Sequence, residues 1–172
     1  MRLAVFDCDG TLVDSQANII RAMHSSFARM GLADPDPHAV RRVVGLSLVE
    51  AMQALLPEAD ADLHARLAED YKNAFQRLDP EPLFAGVAGL LETLEAEGWL
   101  LAVATGKSDR GLKLCLEHHG IHGRFISLQT ADRHPSKPHP SMLLKCLSDA
   151  GVPAHQACII GDTVFDVGMG VA

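Results

Sequence analysis

Asp7-Cys8-Asp9-Gly10-Thr11-Leu12-Val13-Asp14 follows directly on the apolar run Leu3-Ala4-Val5-Phe6, almost at the start of the chain. Four apolar residues ending in two carboxylates and a glycine turn read as a buried strand that delivers acids to its C-terminal edge. That edge is where open α/β sheets bind ligands. Acids at i and i+2 on an extended segment point the same way, so Asp7 and Asp9 can face one reacting centre, with Cys8 turned into the packing. Like charges crowded together are costly unless a cation neutralises them, so the pair itself calls for a metal. An acidic turn capping the next helix is the simpler alternative. It accounts for Asp14 or Ser15 but leaves Asp7 and Asp9 unexplained.

The segments around this stretch set the architecture. Residues 15–31 carry Ile19, Ile20, Met23, Phe27 and Met30 at helical spacing, closed by Gly31. Helical patterns resume at 38–44, 47–56 and 61–78, between the breaks Asp34-Pro35-Asp36-Pro37 and Asp79-Pro80-Glu81-Pro82. Beyond residue 82 helices (87–97, 108–119, 140–150) alternate with strands (100–104, 125–128, 157–160), which predicts a parallel sheet with covering helices. The expected fold is therefore α/β: a parallel-sheet, Rossmann-like core of residues 1–14 and 82–172, with a small all-helical cap inserted at 15–81.

Composition narrows the function. With 172 residues, 48% of them apolar, the chain can bury a substantial core. A formal net charge of -7 with no basic stripe argues against a nucleic-acid partner. No apolar run reaches membrane-spanning length, and Asp7 interrupts the first one too early for a signal peptide. Cys8, Cys115, Cys146 and Cys158 are far apart and sit in or beside apolar segments, which predicts buried free thiols and a cytoplasmic setting. The histidines are scattered and read as solvated; His139 stands out only because it lies two residues from Lys137. Arg41 and Arg42 could grip a carboxylate or a second phosphate, although a solvated helix face is the favoured reading for both.

Three further polar groups fall where the core is expected to present them. The strand at 100–104 runs into Thr105-Gly106-Lys107-Ser108, a hydroxyl and open amides at a helix start, suited to a phosphate or simply to an N-cap. The strand at 157–160 runs into Gly161-Asp162-Thr163-Val164-Phe165-Asp166, whose two acids could flank a hard cation or favour a helix N-terminus. Between them, Ser136-Lys137-Pro138-His139-Pro140 stiffens the backbone around one lysine.

The order Asp-x-Asp-Gly-Thr, Thr, Lys, Gly-Asp-x-x-x-Asp resembles the four signature motifs of the haloacid dehalogenase-like phosphohydrolases. The phrases Phe6-Asp-Cys-Asp-Gly-Thr-Leu-Val-Asp-Ser15 and Ser136-Lys-Pro-His-Pro140 are similar to the phosphoglycolate phosphatase and β-phosphoglucomutase branch. The resemblance implies a Mg²⁺-dependent phosphatase acting on a small phosphorylated metabolite, phosphoglycolate-like or a sugar phosphate, through an aspartyl-phosphate. Asp7 would be nucleophile and Asp9 the acid–base. Mg²⁺ would rest on Asp7, Asp9 and Asp162, with Asp166 behind them. Thr105, Gly106, Lys137, Gly10 and Thr11 would hold the phosphoryl group. A phosphomutase shares all these residues, and a non-catalytic phosphoacceptor module is the alternative outside catalysis. The expected partner is a small phosphate ester, and the expected state a monomer or weak homodimer. Because the family places another strand outside 157–160, the natural protein is expected to continue past Ala172.

Overall fold

A computed structural model describes residues 1–172, which form a four-stranded parallel sheet and eight α-helices. In chain order these are β1 (Arg2–Phe6), α1 (Gln16–Arg29), α2 (Pro37–Val43), α3 (Leu48–Leu55), α4 (Ala61–Phe75) and α5 (Val87–Ala96). There follow β2 (Trp99–Thr105), α6 (Asp109–His118), β3 (Ser127–Thr130), α7 (Ser141–Ala150), β4 (Ala157–Ile160) and α8 (Val164–Val171). The strand order is β3-β2-β1-β4. The chain builds outward from β1 through β2 to β3, then crosses back to add β4 on the other side. The carboxyl end of β1 is thus the topological switch point, where such sheets open a crevice.

Alternation along the strands sorts the core into two layers. Ala4, Phe6, Leu101 and Val103 pack with Leu91, Leu112 and Leu116 of α5 and α6 on one face. Leu3, Val5, Ala102 and Ala104 pack with Met142, Cys146 and Met169 of α7 and α8 on the other. Cys8 belongs to the first layer, with its sulfur 3.9 Å from that of Cys115. Helices α1–α4 have their own apolar cluster, around Met23, Phe27, Met52 and Leu67. The two chain crossings that join this helical block to the sheet run side by side: Phe84 N–H donates to Leu12 O at 3.0 Å and Asp14 N–H to Pro82 O at 2.9 Å.

Three expectations need correction. The strand at 125–128 instead spans Ser127–Thr130. Its final residues are polar and so fall outside an apolar run, yet they are buried and satisfied: Thr130 Oγ1 donates to Asp109 at 2.7 Å, and Gln129 Nε2 to Ser127 Oγ at 2.7 Å. Cys158 is exposed where a buried thiol was expected, because β4 pairs only with β1 and forms the sheet's edge. Finally, β1 ends at Phe6, so Asp7 and Asp9 stand in the loop beyond it and not on an extended strand. Amides of Leu12 and Val13 fold back onto Cys8 O, and Gly10 turns the chain at φ 79°.

Candidate active site

Asp7 is fully buried at the end of β1, its amide still tied to Ile160 O of β4 at 2.8 Å. Its Oδ1 accepts from the Cys8 amide at 2.6 Å and lies 2.9 Å from Lys137 Nζ, while its Oδ2 has no partner. Lys137 has no exposed side-chain surface and also donates to Asp166 Oδ1 at 2.6 Å. The other Asp166 oxygen accepts from Thr163 N–H (3.1 Å) and Oγ1 (2.7 Å) in a reciprocal cap that starts α8. One lysine buried between two acids is tolerable only because each charge compensates the others.

These surroundings act on proton affinity in opposite senses. Burial raises the Asp7 carboxyl to about 6, against the pull of Lys137 and with the push of Asp166 and Asp9. Burial works against the Lys137 ammonium, but Asp7 and Asp166 overcome it and hold the lysine protonated above its ordinary range. The Asp162 carboxyl is also raised, chiefly by burial.

Asp7, Asp162 and Asp166 bring ligand oxygens within 4.8 Å of one another. The partnerless Asp7 Oδ2 in this cluster is the atom a divalent cation would satisfy, so the residues present fit such an ion. Asp166 has both oxygens engaged, which suits a place behind the ion. Gly10 makes the cluster possible, since a Cβ there would lie 2.2 Å from Asp162 Oδ2. Thr11 Oγ1 donates to Asp162 at 3.4 Å. The Gly10 amide donates to Val13 O at 3.0 Å.

A cavity of about 310 Å³ opens over Asp7 and Asp9 and is bounded by Thr105, Gly106 and Lys107 at the end of β2. Ser108, not Thr105, caps α6 by accepting from the Gly111 amide, which leaves the Thr105 hydroxyl free of that duty. The loop between α2 and α3 presses directly on this rim. A Cβ at Gly106 would lie 2.4 Å from Leu46 O, and Ser47 N–H donates to Ser136 Oγ at 2.7 Å. The helical block supplies mainly apolar wall, including Met23, Val40, Val43, Leu48, Tyr71 and Phe75. Arg41 and Arg42 are exposed and outside the cavity. His139 is exposed, and its ring accepts from the Ser141 amide.

Two functional candidates were not legible as such. Lys107 Nζ lies 2.9 Å from Asp9 Oδ1 and 3.4 Å from Glu81 Oε1, with the Phe75 ring centroid 5.0 Å away. Glu81 is buried in the second crossing between its two prolines. The signal available for Lys107 was its place directly after Thr105-Gly106 on a strand end. Nothing local marked Glu81.

Comparison with known proteins agrees with this geometry. The haloacid dehalogenase-like hydrolase family matches residues 4–172. A probable phosphatase, IndB, of Dickeya dadantii is 35% identical over 96% of this chain and 74% of its own length. A phosphoglycolate phosphatase of Aquifex aeolicus is 30% identical over 99% of this chain and 80% of its own. A hydrolase from Pseudomonas syringae shares the fold, with a TM-score of 0.90 at 24% identity over 99% of this chain and 80% of that one. The chain belongs to the haloacid dehalogenase-like hydrolase family and is an enzyme of its phosphoric monoester hydrolase kind.

Proposed function

We propose that this protein is a Mg²⁺-dependent phosphatase that hydrolyses a small phosphorylated metabolite in the cytoplasm through an aspartyl-phosphate on Asp7. The observation that carries the reading is Asp7 itself: buried, lining the cavity, held on one oxygen by Lys137 and unpartnered on the other. An oxygen of the Asp7 carboxylate attacks phosphorus as the bond to the leaving oxygen breaks, its electron pair going to that oxygen. A proton carried by Asp9 passes to the leaving oxygen, and the alcohol departs. Water then attacks the aspartyl-phosphate, returning a proton to Asp9 and releasing phosphate and free Asp7. Thr105 and the Gly106 amide bind phosphoryl oxygens at the rim. Lys137 neutralises Asp7 from behind, with Asp166 holding the lysine in place. Asp7, the Asp9 carbonyl and Asp162 would hold Mg²⁺, which would neutralise charge on the phosphoryl group.

Residues 15–81 act in this reading as a cap over the core of residues 1–14 and 82–172, and the pressing of Leu46 on Gly106 supports that division. Hydrolysis is favoured over a mutase, because the only cation the block gives the cavity is Lys72 and a second phosphate would have little to hold it. A non-catalytic phosphoacceptor would need neither Asp9 nor an enclosed cavity. The test is a screen of phosphorylated metabolites with Mg²⁺ present, after chelation, and in Asp7→Asn. Release of phosphate from small esters that stops in both controls is the expected result. Turnover that survives either control overturns the reading.

A further inference from the structure

We infer that Lys107 is a positioning residue that holds Asp9 toward the leaving group and is itself fixed by Glu81 from the crossing between core and helical block. The inference rests on the proposed role of Asp9 as acid–base. Three observations carry it. First, Lys107 is a cation withdrawn from water, with 9% of its side chain exposed, and its ammonium stands between the carboxylates of Asp9 and Glu81. A buried cation kept charged at such a position needs its acids as much as they need it.

Second, the contacts are divided in a way that suits positioning. Lys107 Nζ approaches Asp9 at Oδ1 only, 2.9 Å away, without the alignment of a directed hydrogen bond. This leaves the other carboxyl oxygen of Asp9, itself a cavity residue, for the substrate. Toward Glu81 the ammonium makes a hydrogen bond of 3.4 Å, and the face of Phe75 lies over it.

Third, Glu81 is anchored at both ends. Its carboxylate meets Lys107, and its carbonyl lies 2.8 Å from His119 Nε2 at the end of α6. The neighbouring Pro82 O accepts from Asp14 N–H, which joins the two crossings. Asp9 is thus linked through one lysine to the segment by which the helical block joins the core. A rigid acid–base needs such support, because a small misplacement of a catalytic group is expensive in rate.

The test separates this role from a structural one and from direct phosphate binding. Benzyl, phenyl and p-nitrophenyl phosphate present one ring on leaving groups of decreasing basicity. A group that acts through the proton donor matters most for the most basic leaving group. Read as kcat/KM, which reports phosphorylation of Asp7 and omits the later hydrolysis that Asp9 also assists, Asp9→Asn should slow benzyl phosphate about 100-fold or more while sparing p-nitrophenyl phosphate to within about 5-fold. Lys107→Met should show the same slope at smaller size, about 10-fold or more on benzyl and under about 3-fold on p-nitrophenyl phosphate. Lys107→Met with Glu81→Gln removes both charges, so Glu81 is not left buried without its lysine, and it should keep the slope with an unchanged melting temperature. Equal losses on all three esters, or no loss, alongside a steep slope in Asp9→Asn would overturn the role of Lys107. A flat response in Asp9→Asn itself would instead overturn the acid–base reading beneath it.

Discussion

Around Asp7 the core buries charge on charge: Lys137 between Asp7 and Asp166, Lys107 between Asp9 and Glu81. Across the cavity the helical block presents Met23, Val40, Val43, Leu48, Tyr71 and Phe75, with Lys72 the one charged side chain it adds. Buried charges are expensive, and they are retained where each is compensated and where the reaction needs a fixed field. Apolar walls exclude water and bind by shape, with little to impose on a phosphoryl group. In the proposed function, this difference gives reaction to the core and discrimination among substrates to the block.

The comparison breaks first if a core acid proves dispensable. Asp7→Asn should lower turnover by about 10⁴-fold or more with the fold intact, read by phosphate release and circular dichroism. Next in size, Gly10→Ala forces a Cβ onto Asp162 at a φ that side chains rarely adopt. It should weaken apparent Mg²⁺ affinity about 10- to 100-fold in activity titrations. On the other wall, Val43→Ser and Phe75→Leu should redistribute KM among substrates while kcat on p-nitrophenyl phosphate changes less than about 5-fold. A uniform collapse of kcat in those variants would erase the division between the walls.

The smallest effect is on stability and concerns pH. Burial lifts the Asp7 carboxyl from 3.8 to about 6, so the folded protein holds a proton that the unfolded chain has already released. The associated stability is present below about pH 4 and is lost as pH rises through about 6. Above that range metal-free Asp7→Asn should be the more stable protein, by up to about 3 kcal/mol, in urea titrations. The wild type should regain stability when Mg²⁺ is added, and the variant should not.

The sheet and the acids at its edge were legible because local pattern decides them. The apolar run before Asp7, the alternation after residue 82 and the proline breaks each follow from backbone periodicity. What escaped the sequence depends on residues distant in the chain. Lys107 meets Asp9 across 98 positions and Glu81 across 26, pairings that no spacing announces. The close approach of Leu46 to Gly106 is likewise set by how the block docks. The two-residue slip of β3 has another origin, since Gln129 and Thr130 are polar side chains buried through hydrogen bonds.

The central claim is that phosphate passes through Asp7, and chemical trapping tests it most directly. Enzyme quenched in acid during turnover and reduced with borohydride converts an aspartyl-phosphate to homoserine, which peptide mass spectrometry locates. Homoserine at position 7, formed only with substrate and Mg²⁺ and enriched in a slow Asp9→Asn variant, is the result this account predicts. Normal turnover with position 7 unmodified under the same quench, or homoserine at another aspartate, would contradict it.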